Sequence, residues 1–190
     1  MKRNQKLALL LFLVLLIIPA GLVIFMATFS KNEYKELPVL GPKKLSSTND
    51  TIYHRLNDFN LSTSSGKTLD TSFLNNKVTL IHVFCTRCDS VYQNMIQISK
   101  GVQKQLVDLP SFQILSISGD PEYDNKELLN AYSDSLELNL SNWYFSTGTK
   151  DEILDFCQNQ LLISVQDVPQ KDNPVTLSDR FILVGPQRRI

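Results

Sequence analysis

Residues Val78–Phe84, VTLIHVF, form an apolar, β-rich run with no polar alternation except His82. Such a run predicts a strand buried on both faces, the mark of a central parallel strand. It ends at Cys85. After Cys88 the apolar residues fall at Val91, Met95, Ile98, Val102 and Leu106, spacings of 4, 3, 4 and 4 that lay them on one helix face. A strand needing cover on both sides, followed at once by an amphipathic helix, commits this part of the chain to a layered α/β arrangement.

The rest of the chain repeats the alternation. Phe112–Ser118 reads as a second strand. Asp124 with Glu127 reads as a capping box opening a helix through Leu128, Leu129, Tyr132 and Leu136. Trp143–Phe145 is a short strand, Thr149 with Glu152 opens a helix through Ile153, Phe156 and Cys157, and Arg180–Val184 is a last strand. Upstream, Phe59–Leu61 and Thr68–Leu69 flank STSSGK as a hairpin in which Gly66 supplies a positive φ. The order predicts a sheet with parallel crossovers. It places Cys85 and Cys88 at the carboxyl end of the first core strand, the edge where open α/β sheets hold their chemistry.

A dithiol at a helix start gains from the unpaired N–H groups and the dipole there, which lower a thiol pKa from about 8.5 toward neutrality. The thiolate is the nucleophile in disulfide exchange. Arg87 adds a positive charge and Asp89 opposes it. Cys85 is expected to be the exposed attacking thiol, and Cys88 the resolving thiol from the first helical turn. Two other readings of C-x-x-C stand beside this one: a permanently oxidised staple or inert thiols, and a zinc site. The zinc reading lacks a second C-x-x-C or H-x₃₋₅-H to complete a tetrahedral shell. Cys157 reads as a buried small hydrophobe, and His82 as a hydrogen-bonded core histidine. His54 has no partner visible in the sequence.

Residues 7–29 are almost wholly apolar and uncharged, 23 residues behind Lys2, Arg3 and Lys6. That length suits a single span of a bilayer core about 30 Å thick. The flanking cations keep residues 1–6 in the cytoplasm and send the rest to the periplasmic or extracytoplasmic side, where disulfides persist. The apolar run exceeds the roughly 7–15 residues of a cleaved signal peptide. Residues 30–50, with Pro38, Gly41 and Pro42, read as a tether, and 51–190 as one domain. Formal net charge is zero, and no basic run suggests nucleic acid.

The segments LPVLGPK, DTIYHRLNDFNL, SISGDPEYDNKELLNAY, NWYFSTGTKDEI and DRFILV, together with the cysteine turn, resemble the Sco/SenC family from about Leu37 to Ile190. SISGDPEYD is the most telling, matching a Ser-Asp-Pro-Glu stretch of the family. The resemblance implies a membrane-anchored thioredoxin-like fold, a central mixed sheet with flanking helices, linked to copper delivery in cytochrome c oxidase assembly. It differs in three respects. The family spaces its cysteines C-x-x-x-C, each followed by proline; here the spacing is C-x-x-C, with Thr86 and Asp89 following. The family's third copper ligand, a histidine before its late strand, falls at Leu177. The family continues past that strand with another strand and a final helix, so GPQ at Gly185–Gln187 is expected to turn toward a missing sheet partner, leaving the C-terminal end of the fold incomplete.

These features imply three functions. The first is a thiol–disulfide oxidoreductase using Cys85 and Cys88, requiring no cofactor and acting on cysteines of an oxidase subunit or a copper chaperone. The second is a copper(I) chaperone with Cys85 and Cys88 as soft ligands. The third is a truncated, non-catalytic paralogue acting as a binding platform.

Overall fold

The computed structural model describes residues 3–29, 37–47, 49–57, 59–88, 90–138, 140–167, 175–176 and 178–190. They form two compact units, Met1–Pro38 and Val39–Ile190. Asp89 and Leu177 lie outside the described residues, so the roles expected at those two positions do too.

The first unit is one helix, α1 (Arg3–Phe29), with Pro19 inside it. Its apolar side chains from Leu11 to Met26 are exposed. Among the described residues no helix is long and apolar enough to cross a membrane, so a spanning role for 7–29 rests on the sequence alone.

The second unit opens with a hairpin of β1 (Lys43–Leu45) and β2 (Thr51–Tyr53). It continues through β3 (Leu61–Thr63), β4 (Thr68–Leu69), β5 (Val78–Phe84), α2 (Ser90–Leu106), β6 (Phe112–Ser118), α3 (Lys126–Ser135), β7 (Trp143–Thr147) and α4 (Lys150–Asp155), which runs on as a π-turn over Phe156–Gln160. A two-stranded ribbon, β8 (Gln166–Asp167) with β9 (Val175–Thr176), precedes β10 (Ile182–Val184). Six strands make one mixed sheet in the order β10-β5-β6-β7-β3-β4. The β5–β6–β7 centre is parallel, as the crossover pattern predicts, and β10, β3 and β4 run antiparallel to their neighbours.

The pleat of β5 divides its side chains between two cores. Ile81 and Val83 join Leu115, Ile117, Ile182 and Val184 under Leu56, Phe59, Ile153 and Phe156. Phe84 joins Ile114, Trp143 and Phe145 under Ile96 of α2 and Leu129 of α3. Both faces are therefore dry, which is why β5 carries no polar alternation.

Two helix assignments change. The face of α2 agrees only in part: Met95 is buried and Val102 and Leu106 pack on the second core, but Ile96, Ser99 and Gln103 are buried as well, while Val91 and Ile98 stand 48% and 54% exposed. Ile96 supplies the bulk over the sheet. Gln103 can be buried because its amide N–H donates to Asn142 Oδ1 at 2.8 Å. The cap of α3 is Asn125, whose side chain accepts the Leu128 N–H at 2.8 Å, and not Asp124. The capping box of Thr149 and Glu152 forms as predicted.

After β10 the chain turns back over Gly185–Gln187 as the sequence predicts. The Gly185 N–H donates to the Arg189 carbonyl and the Arg188 N–H to the Gly185 carbonyl, both at 2.8 Å, with Arg188 in the left-handed region at φ 62°. The returning residues pair with the start of the unit: Leu56 N–H to Arg188 O at 2.9 Å and Leu40 N–H to Ile190 O at 2.7 Å. Beyond β10 no further strand joins the sheet among the described residues, and Leu183 on that edge is 40% exposed.

Candidate functional site

The strand β5 delivers Cys85 directly from its last hydrogen-bonded residue, Phe84, whose carbonyl accepts the Gly119 N–H at 2.8 Å. Cys85 continues the Ile81–Val83 alternation, so its side chain enters the first core, and Cys88 joins the same core. The two are paired as a disulfide with Cα atoms 5.4 Å apart, within the span such bonds accept. The pair precedes α2, which begins at Ser90, so Cys88 does not sit in the first helical turn. Exposure also differs from expectation: Cys85 is 0% and Cys88 9% exposed. Cys85 is enclosed because it still obeys the inward pleat of a buried strand.

The two residues between the cysteines are held by the SISGDPEYD segment. The Thr86 N–H donates to Asp124 Oδ2 at 3.2 Å, and the Thr86 hydroxyl donates to Asp124 Oδ1. The Ser118 hydroxyl donates to Asp124 Oδ2 at 2.6 Å and accepts the Asp120 N–H at 3.1 Å. Arg87 Nε donates to Asp120 Oδ2 at 2.7 Å, and its guanidinium lies 4.3 Å above the Tyr123 ring. Burial pushes the Asp124 carboxyl up from its ordinary range, while the hydrogen bonds from Ser118 and Thr86 pull it down. Its hydrogen bond to Asp120 holds the Arg87 guanidinium above its ordinary value. Arg87 therefore spends its charge on Asp120 and does not offer it undivided to a thiolate.

The remaining sequence candidates lie apart from this turn. His82 points into the second core, on the face of β5 opposite Cys85. The Trp143 indole N–H donates to Ser116 Oγ at 2.8 Å, and the Ser116 hydroxyl lies 2.8 Å from His82 Nε2. With the indole donating, the hydroxyl donates on to Nε2 and the imidazole proton sits on Nδ1, which has no partner among the described residues. Burial pushes the His82 pKa down to about 3. Its place on the face opposite Cys85 keeps this ring from completing a shell with the two sulfurs. Cys157 is a buried free thiol raised to about 12 by burial, as its place on an apolar helix face predicts. His54 Nε2 lies 2.7 Å from the Gln160 carbonyl, to which its N–H donates. It lines a cavity of about 330 Å³ with Lys44, Arg55 and Asn57, and no cysteine lines that cavity. No cluster of three or more metal-ligating side chains occurs among the described residues.

Sequence reading missed Ser118, Asp120 and Asp124 as parts of the site. The signal was present: three carboxylates and a serine within seven residues at the end of the strand beside β5. A helix-cap role absorbed Asp124 instead.

The model of the SCO1/SenC family matches residues 48–190. The chain belongs to that family. A SCO1 protein homolog of Bacillus subtilis (strain 168) is 27% identical over 143 residues, covering 74% of each chain. The structure of BsSco, a Sco-family cytochrome c oxidase assembly protein in which a disulfide switch was identified, is 26% identical with a TM-score of 0.61, over 72% of this chain and 80% of that one. Bradyrhizobium japonicum ScoI, solved with copper bound, shares the fold at a TM-score of 0.61 and 23% identity, over 71% and 85%. The Sco-type domain is thus an α/β thioredoxin-like fold, with the cysteine pair at the carboxyl edge of its central strand.

Proposed function

We propose that this Sco-family protein is a membrane-anchored, exported thiol–disulfide oxidoreductase whose Cys85–Cys88 couple exchanges with cysteines of respiratory or copper-site proteins. The observation that carries the reading is the closed Cys85–Cys88 pair at the carboxyl edge of β5. In the oxidising direction for substrate, a substrate thiolate attacks one sulfur and expels the other as a thiolate. The substrate's second thiol, deprotonated, then attacks the mixed disulfide. The substrate leaves as a disulfide and the pair as a dithiol, with two electrons and two protons transferred in all. Access favours Cys88 as the sulfur reached first, because Cys85 is wholly enclosed. The disulfide switch of BsSco supports the same chemistry in a relative.

Residues 7–29 would supply the anchor. Exposed Leu, Ile and Phe side chains along α1 are costly in water and at home in lipid.

A second reading has its own support, the copper-bound fold of ScoI. When reduced, Cys85 and Cys88 present two soft thiolates suited to copper(I) as cargo. The family's histidine position is Leu177, so the two sulfurs would hold the ion without it.

The deciding experiment equilibrates the full chain, in detergent, with glutathione redox buffers and traps mixed disulfides in Cys85→Ser and Cys88→Ser. The oxidoreductase reading expects a single two-electron transition and mixed disulfides trapped through Cys88 in Cys85→Ser. Failure to equilibrate, with no trapping in either variant and stoichiometric copper(I) uptake by the reduced protein, would hand the site to the chaperone reading.

A further inference from the structure

The turn between the sulfurs is held by a buried carboxylate. Asp124 is 0% exposed. It accepts three hydrogen bonds, two of them from Thr86, the residue that follows Cys85. The Thr86 N–H is a donor that a thiolate at Cys85 would otherwise draw on, and it is committed to Asp124. The charged groups around this clasp are Asp120, which bonds Arg87, and Arg87 itself. They pair with each other, and the three hydrogen bonds that Asp124 accepts all come from neutral donors, Thr86 and Ser118. When ionised, a carboxylate bonded to the turn disfavours the reduced form, which carries thiolate character, and leaves the neutral disulfide untouched.

We propose that Asp124 is a positioning residue for the Cys85–Cys88 couple: through Thr86 it fixes the turn in its closed form, and its carboxylate biases the pair toward the disulfide. The inference rests on the reading of the pair as a reversible redox couple. It predicts that the protein surrenders its disulfide reluctantly, and that this reluctance depends on the SISGDPEYD segment acting through Thr86.

Asparagine tests the charge while keeping the shape. Its amide oxygen can accept from Ser118 and the Thr86 N–H, and its NH₂ can donate to the Thr86 hydroxyl oxygen. In glutathione titrations of the full chain, Asp124→Asn should shift the equilibrium toward the dithiol by about tenfold, roughly 30 mV for a two-electron couple. The reduced variant should also be alkylated faster by iodoacetamide at fixed pH. Thr86→Val, which deletes the hydroxyl donor, should move both readouts the same way by less, and Thr86→Ser should restore wild-type values. If Asp124→Asn does not fold, the Thr86 pair carries the test. A wild-type titration that is reversible but unchanged in Asp124→Asn and Thr86→Val overturns this inference and leaves the oxidoreductase reading standing. A wild-type protein that does not equilibrate with glutathione at all removes both.

Discussion

At the scale of single residues, the histidine in the middle of β5 has a consequence for stability. Burial holds His82 at about 3 against an ordinary 6.5. The folded pKa lies below the unfolded one, so between these values the unfolded chain binds a proton that the folded chain refuses. The contribution is therefore fully present above pH 6.5 and is lost progressively as pH falls toward 3. The slope approaches about 1.4 kcal/mol per pH unit in that window. Urea denaturation of wild type and His82→Gln across this range should give a difference that grows on the acid side; parallel curves would refute it. Asp124, raised by burial, acts in the opposite sense and is common to both proteins. The core role of His82 was legible because a lone histidine in an apolar run has few other places to go. Its partners Ser116 and Trp143 were not, since they come from two neighbouring strands at a register the sequence does not state. The same limit hid Asp124: its partner Thr86 lies 38 positions away.

At the scale of elements, the strands were the most readable parts. The predicted Val78–Phe84 and Phe112–Ser118 agree with β5 and β6 at both ends, because a continuous apolar run bounded by polar residues has one plausible length. Helix faces were less so. The choice between Ile96 and Ile98 as the inward residue of α2 depends on what the sheet beneath offers, which periodicity does not contain. The β1–β2 hairpin was read partly as tether, since Lys43–Leu45 and Thr51–Tyr53 carry mostly exposed side chains with no buried face to reveal them. Gly41 fastens this hairpin to the domain. It sits at φ +98°, and an added Cβ would come 2.9 Å from His54 Cβ and 3.1 Å from Leu162 Cδ1. Gly41→Ala should thus cost about 1–3 kcal/mol, seen as a lower urea midpoint at unchanged slope. A midpoint equal to wild type would mean that the contact yields freely.

At the scale of the whole molecule, the α/β layering followed from the alternation of strand and helix signals. The position of β10 beside β5 did not, because edge placement is decided by long-range pairing rather than by local pattern. The expected topology is testable as a whole. Protease added to intact spheroplasts should remove the Val39–Ile190 unit, given the cations before the apolar run; protection until the membrane is breached would reverse the orientation. The bond from Leu40 to Ile190 and its neighbour from Leu56 to Arg188 have a consequence in time. They close loops of about 150 and 130 residues, whose ordering is opposed by chain entropy that grows with the logarithm of length. Contacts of such sequence separation form late and slow the approach to the native state. A chain threaded outward from its N-terminus would therefore complete the docking of its first hairpin only after its last turn had cleared the translocation channel. During that interval Cys85 and Cys88, close in sequence, could pair well before the sheet around them was finished.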